Sequence, residues 1–108
     1  MAIKEFEIAV VKNPDKGEYL RGLGWAIFSS GNAIKGLDYL RRANEKEPQN
    51  VNTLNDLAVV YFGLLDFNNA KLCIKKALTL DPDNALAKAT QKQIVYLQKK
   101  YKLDNCSY

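Results

Sequence analysis

VNTLNDLAVVYFGLLDFNNAKLCIKKALTLDPDN, residues 51–84, reads as two helices joined by a tight turn. Leu54, Leu57, Ala58 and Tyr61 recur at spacings of three and four, the period that puts side chains on one face of an α-helix. Asp66 and Phe67 interrupt that stripe, and Ala70, Ile74 and Ala77 begin a second one. Asp81-Pro82-Asp83-Asn84 ends the second helix, because proline cannot continue it and an Asp or Asn there caps the helix that follows.

Moving 34 residues toward the N-terminus, Leu20, Leu23, Gly24, Ile27, Gly36, Leu40, Ala43 and Pro48 take the same places. A further 34 leaves only the second half of the unit, as Ala2, Phe6, Ala9 and Pro14. Pro14, Pro48 and Pro82 are the three prolines of the chain, and they mark the period. A repeat of fixed length decides the fold, since each unit buries its apolar face only by stacking on the next.

The pattern resembles the tetratricopeptide repeat (TPR), whose 34-residue unit carries a large apolar residue, Leu-Gly, an aromatic, then Ala, an aromatic, Ala and Pro. Residues 51–84 match it with Leu54, Leu57-Ala58, Tyr61, Ala70, Ile74, Ala77 and Pro82. Residues 17–50 match with Leu20, Leu23-Gly24, Ile27, Gly36, Leu40, Ala43 and Pro48. Leu stands in place of the family's first Trp, and Gly36 in place of an Ala. The resemblance implies an all-α fold, a right-handed superhelical solenoid of about six helices in antiparallel pairs. One domain is expected over residues 1–103: a half repeat at 1–16, repeats at 17–50 and 51–84, and a capping helix at 85–102. Helices are expected near 2–13, 17–30, 33–46, 51–64, 67–80 and 85–101, with 103–108 a flexible tail.

The two ends differ. On the last helix, Lys88, Gln91 and Lys92 occupy the positions that would face a second helix of its own, whereas Ala87, Ile94 and Val95 would face the preceding repeat. A helix polar where it has no neighbour is a solubilising cap. The first helix has no such cap, which points to a longer array or to homo-oligomeric assembly through that helix.

Function is argued from a site, not from a fold. By the resemblance, the first helices line a concave groove that binds an extended or helical peptide. Its positions here are Glu18, Arg21, Gly22, Trp25, Phe28 and Ser29, then Asn52, Asn55, Asp56, Val59, Phe62 and Gly63, then Leu86, Ala89, Gln93 and Tyr96. Trp25, Phe28, Val59, Phe62 and Tyr96 form an apolar stripe beside donors on Arg21, Asn52 and Asn55, and aromatics with polar neighbours are typical anchors. Asn52 and Asn55 suit a peptide backbone, because an amide side chain both donates and accepts. The alternative for Phe28, Phe62 and Tyr96 is packing between helices; Trp25 is the residue expected to face the groove. The Lys/Asn clamp by which some members of the family hold acidic chaperone tails is absent: its places hold Arg21 and Trp25, Asp56, and Leu86 and Thr90.

The net charge of +4 lies wholly at the C-terminal end. Residues 1–84 balance 11 basic against 11 acidic side chains, while residues 85–108 hold Lys88, Lys92, Lys99, Lys100 and Lys102 against Asp104. Such a helix suits an acidic or anionic surface. Nucleic acid is disfavoured, since the helix carries no Arg and only Tyr96 and Tyr101 as aromatics. A solvated capping face explains the same lysines without a ligand.

No catalytic centre is legible. The chain has no His, which removes the commonest general base and most zinc sites. Cys73 lies among Lys71, Lys75 and Lys76, which would lower its pKa, but no base accompanies it. Asp81-Pro82-Asp83-Asn84 lacks the Gly and Glu of a calcium loop, with Leu86 and Lys92 in their places. Gly22-Leu23-Gly24 lacks the strand and third glycine of a dinucleotide turn, and helix packing accounts for Gly24. Asn105-Cys106-Ser107 matches a glycosylation sequon by chance. Cys73 and Cys106 are expected as free thiols in a reducing, cytoplasmic setting. No run is long and apolar enough to span a membrane, and no signal peptide is evident. The expectation is a non-catalytic interaction module with a protein or peptide partner, without cofactor or metal.

Overall fold

In the computed structural model, which describes residues 3–101, the 34-residue period returns as hydrogen bonds. The amide of Lys16 donates to the Asn13 carbonyl, that of Asn50 to Glu47 and that of Asn84 to Asp81, each at 3.1 Å. Proline is the second residue of all three turns, where its fixed φ presets the bend. Before, between and after them run α1 (Ile3–Lys12), α2 (Gly17–Ser29), α3 (Ala33–Lys46), α4 (Val51–Gly63), α5 (Phe67–Leu80) and α6 (Ala85–Tyr101). The fold is all-α, a helical solenoid with no strand among the described residues. Ser30 and Leu64, expected inside helices, stand just beyond them as C-caps.

Side-chain caps set four of the starts. Asn32, Asn50, Asp66 and Asn84 accept from the amides of Lys35, Thr53, Asn69 and Ala87 at 3.1, 3.2, 3.3 and 2.9 Å. Each satisfies an amide that the first turn leaves without an intrahelical partner. The turns inside the two repeats also share one geometry. The amide of Asn32 reaches back to the Ile27 carbonyl and that of Asp66 to Tyr61, at 3.2 and 2.9 Å. This Schellman closure needs a left-handed residue. Gly31 supplies it at φ +105° in the first repeat, but Leu65 is forced to φ +61° in the second.

Small residues set how closely each pair approaches. A Cβ on Gly36 would lie 2.7 Å from the Gly24 carbonyl oxygen, and one on Gly24 would lie 2.9 Å from that of Gly36. One repeat on, Ala58 and Ala70 hold the same places and are both fully buried. Around them Leu40, Leu54, Leu57, Val60, Tyr61, Phe67 and Ile74 form a core that continues into Ala87 and Ile94 of α6. The apolar side of α6 is narrower than expected, because Val95 is 41% exposed beside α5. At the other end α1 buries no residue fully and rests on α2, where the Phe6 ring occupies the space a side chain at Gly22 would take. Ala2, Lys102, Asp104, Cys106, the sequon and the expected tail lie outside the described residues.

Two stability outcomes follow. Gly36→Ala pushes a methyl into backbone and is expected to cost roughly 1–3 kcal/mol, read by urea unfolding, despite the better helix propensity of Ala. Leu65→Gly should instead gain roughly 0.5–1 kcal/mol, because the left-handed penalty of ~1–2 kcal/mol exceeds the entropy cost of glycine. Leu65 is 65% exposed, so little packing is lost with its side chain.

Candidate functional site

The first helices lie side by side, with α4 touching both α2 and α6 while α1 leans on α2. The rings of Trp25 and Phe28 lie 5.3 Å apart on α2. Phe28 reaches α4 at Gly63, where a Cβ would lie 3.7 Å from the Phe28 ring, in ordinary contact. Phe62 turns its ring onto Phe67 at 5.9 Å, close to edge-on.

Two hollows open along this surface. One, of about 620 Å³, lies between α1, α2 and α4 and is lined by Ile3, Phe6, Arg21, Gly22, Trp25, Ala26, Ser29, Ser30 and Asp56. The other, of about 520 Å³, is lined by Phe62, Lys92, Gln93, Tyr96 and Leu97. Trp25 is 38% exposed and Tyr96 59% exposed, so each offers a ring to solvent beside a hollow. Phe28, Val59 and Phe62 are half-buried, and both phenylalanines pack against the core. Glu18, Ser29, Asn52, Gly63, Leu86, Ala89 and Gln93 are exposed along the same helices.

The polar row is arranged differently from the expectation. Arg21 donates from Nε to Asp56 Oδ2 at 2.6 Å, joining α2 to α4. The Arg21 side chain stays 37% exposed, whereas that of Asp56 is 13% exposed. Burial pushes the Asp56 carboxyl above the usual carboxylate range, and the hydrogen bond and charge of Arg21 pull it partly back. Asp56 is thus not an open charge repelling an acidic ligand; it is covered by its guanidinium.

Asn55, expected to hold a peptide backbone, is 2% exposed and lies inside the fold. Its Nδ2 donates to Asn84 Oδ1 at 3.1 Å, and its own Oδ1 is buried without a hydrogen-bond partner. Asn84 also caps α6 and donates to Asp81 Oδ2 at 3.1 Å. The amide ties α4 to the turn before α6 and offers nothing to a groove. Thr90 is also internal, with its hydroxyl donating to the Leu86 carbonyl at 3.0 Å.

Cys73 behaves opposite to the expectation. It is half-buried against the core, and burial pushes its thiol up to about 11 against the smaller opposing pull of Lys76 and Arg41. Lysines in solvent are screened, while desolvation of a thiolate is not. Among the described residues no group of three or more His, Cys, Asp or Glu side chains could hold a metal ion. None of the described helices is long and apolar enough to cross a membrane.

Ile3 and Phe6 line the larger hollow without having been marked as site residues. The signal was Gly22 in mid-helix, which leaves α2 open to a ring from α1. The Arg21–Asp56 bond was hidden because its partners lie 35 residues apart.

No family model matches the sequence, and no curated protein matches it. Solved structures do match. YrrB, described as a TPR protein with an unusual peptide-binding site, superposes with a TM-score of 0.79 at 21% identity, over 83% of this chain and 46% of that one. The Arabidopsis OM64 TPR domain gives a TM-score of 0.82 at 18% identity, over 87% of this chain and 78% of that domain. The chain thus spans less than half of the YrrB chain. The fold is that of tetratricopeptide repeats.

Removing the guanidinium tests the electrostatics. Arg21→Met leaves Asp56 buried without its counter-charge, and a loss of roughly 1–3 kcal/mol at neutral pH is expected. The cost of a raised carboxyl is full above its folded-state pKa, shrinks as the pH falls through that value, and is gone only below the ordinary carboxylate pKa of the unfolded chain. The gap to wild type should therefore narrow as the pH falls toward about 4, followed by urea unfolding across pH.

Proposed function

We propose that this tetratricopeptide-repeat fold is a non-catalytic interaction module that binds a peptide segment along α2, α4 and α6. The observation that carries the reading is the Trp25 ring standing exposed over the hollow between α1, α2 and α4. A large aromatic beside a concave surface is the usual centre of a binding hot spot. Tyr96 provides a second anchor at the α4–α6 hollow. The polar contribution comes from the exposed edge of Arg21, from Asn52 and from Glu18, with Asn55 withdrawn into the fold. Apolar side chains spaced to reach both hollows describe the ligand. That YrrB is a TPR protein with a peptide-binding site supports the class of partner.

A Trp25→Ala/Tyr96→Ala variant tests this. Both side chains are exposed, so the variant should remain as helical as the wild type by circular dichroism. Partners captured by the wild type from a lysate should be lost from the variant, with affinity for each isolated partner falling about tenfold or more. Retention of every partner by the variant would remove the groove from consideration.

A second reading, homo-oligomeric assembly through α1, is favoured by Ile8 and Val11, which are 50% and 80% exposed. Sedimentation decides it: a dimer dispersed by Val11→Glu supports assembly, and a monomer at all concentrations rejects it.

A further inference from the structure

Away from the groove, a cleft of about 530 Å³ opens between the second helices α3 and α5, with α4 beneath it. Leu54, Leu57 and Tyr61 of α4 give it an apolar floor, and all three are buried in the core. Cys73 and Lys76 of α5 line one side, and Arg41 of α3 lines the other.

We propose that this cleft is a docking site separate from the groove, which takes an aromatic side chain of a partner protein flanked by carboxylates.

The preceding repeat shows what the cleft lacks. Thirty-four residues before Cys73 and Lys76 stand Tyr39 and Arg42. There the Tyr39 ring is half-buried under the Arg42 guanidinium, whose Cζ lies 5.0 Å from the ring centroid. The first repeat thus supplies both members of a cation–π pair from its own chain. In the second repeat the cation is kept as Lys76, but Cys73 brings no ring to meet it. A thiol is far smaller than the phenol it replaces, which leaves the apolar floor open at that place. A ring entering from a partner gains burial against Leu54, Leu57 and Tyr61 together with the Lys76 ammonium.

Charge sets what flanks the ring. The cleft is lined by Arg41, Lys75 and Lys76 against Glu45 alone. None of these three cations has an ion-pair partner among the described residues. Burial pushes the Cys73 thiol up to about 11, so it is neutral at pH 7 and does not offset Arg41 and Lys76. Carboxylates beside the incoming ring meet that excess, whereas ammonium groups there would be repelled.

The probe is a fluorescein-labelled peptide with one phenylalanine between two pairs of aspartates, read by anisotropy against the whole chain. One control replaces the phenylalanine by alanine, and another replaces the aspartates by lysines. The probe should bind about tenfold or more tightly than either control, and weaken severalfold between about 50 and about 300 mM salt. Cys106→Ser leaves Cys73 as the one thiol of the chain, and saturating probe should slow its alkylation by iodoacetamide severalfold. Cys73→Tyr supplies the ring from within and should abolish binding with helicity unchanged. Arg41→Gln/Lys76→Gln changes two exposed side chains and should weaken the probe about tenfold, which keeps the test decisive if Cys73→Tyr unfolds. Trp25→Ala/Tyr96→Ala should leave the probe bound, which separates this site from the groove. No binding of the probe, equal binding of the alanine control, an unprotected Cys73, or loss on Trp25→Ala/Tyr96→Ala would each overturn the proposal. A wild-type dimer dispersed by Cys73→Tyr would overturn it too, assigning the cleft to a second copy.

Discussion

The close approach of paired helices is the constraint on which the rest depends. Gly24 and Gly36 bring α2 and α3 to a separation at which either Cβ would strike the other backbone. Larger side chains, Leu40 and Phe28 among them, pack around that contact. Ala58 and Ala70, both fully buried, hold the same places in α4 and α5. Leu40, Leu57, Val60 and Ile74 share one continuous core, around which the array grows by stacking.

Polar ties across the repeats fix how the stack is joined and take donors away from the surface. Arg21 to Asp56 links α2 to α4, and Asn55 to Asn84 links α4 to the start of α6. Each costs desolvation, so the geometry of the pair matters more than its existence. The consequence for recognition is that Asn55 is lost to the groove, while the Trp25 and Tyr96 rings and the Asn52 amide stay accessible along the first helices. Trp25 and Tyr96 stand open there, while Asn55 and Asp56 serve the fold.

The ends are unlike for a physical reason. At α1, bare Gly22 gives Phe6 a seat on α2, while Ile8 and Val11 remain outside. On α6, Lys88 and Lys92 stand where α4 has Leu54 and Ala58. That substitution solvates one flank but cannot cover Leu78 and Val95, which belong to the shape of the repeat.

The helices, their turns and their small-residue contacts were legible in the sequence. Proline spacing, Asx caps and the three-and-four period act locally and recur every 34 residues, so each reading was checked by the next repeat. Tertiary structure alone decided which polar residues face solvent. Asn55 and Asn52 are the same residue type one turn apart, yet one is buried against Asn84 and the other exposed. Cys73 likewise looked activated by neighbouring lysines until burial raised its pKa. Leu65 gave no sign of its left-handed backbone, because that conformation is imposed by the closure of the turn and not chosen by the residue. Periodicity is a property of the chain; desolvation and pairing between residues some 30 positions apart exist only once the chain has folded.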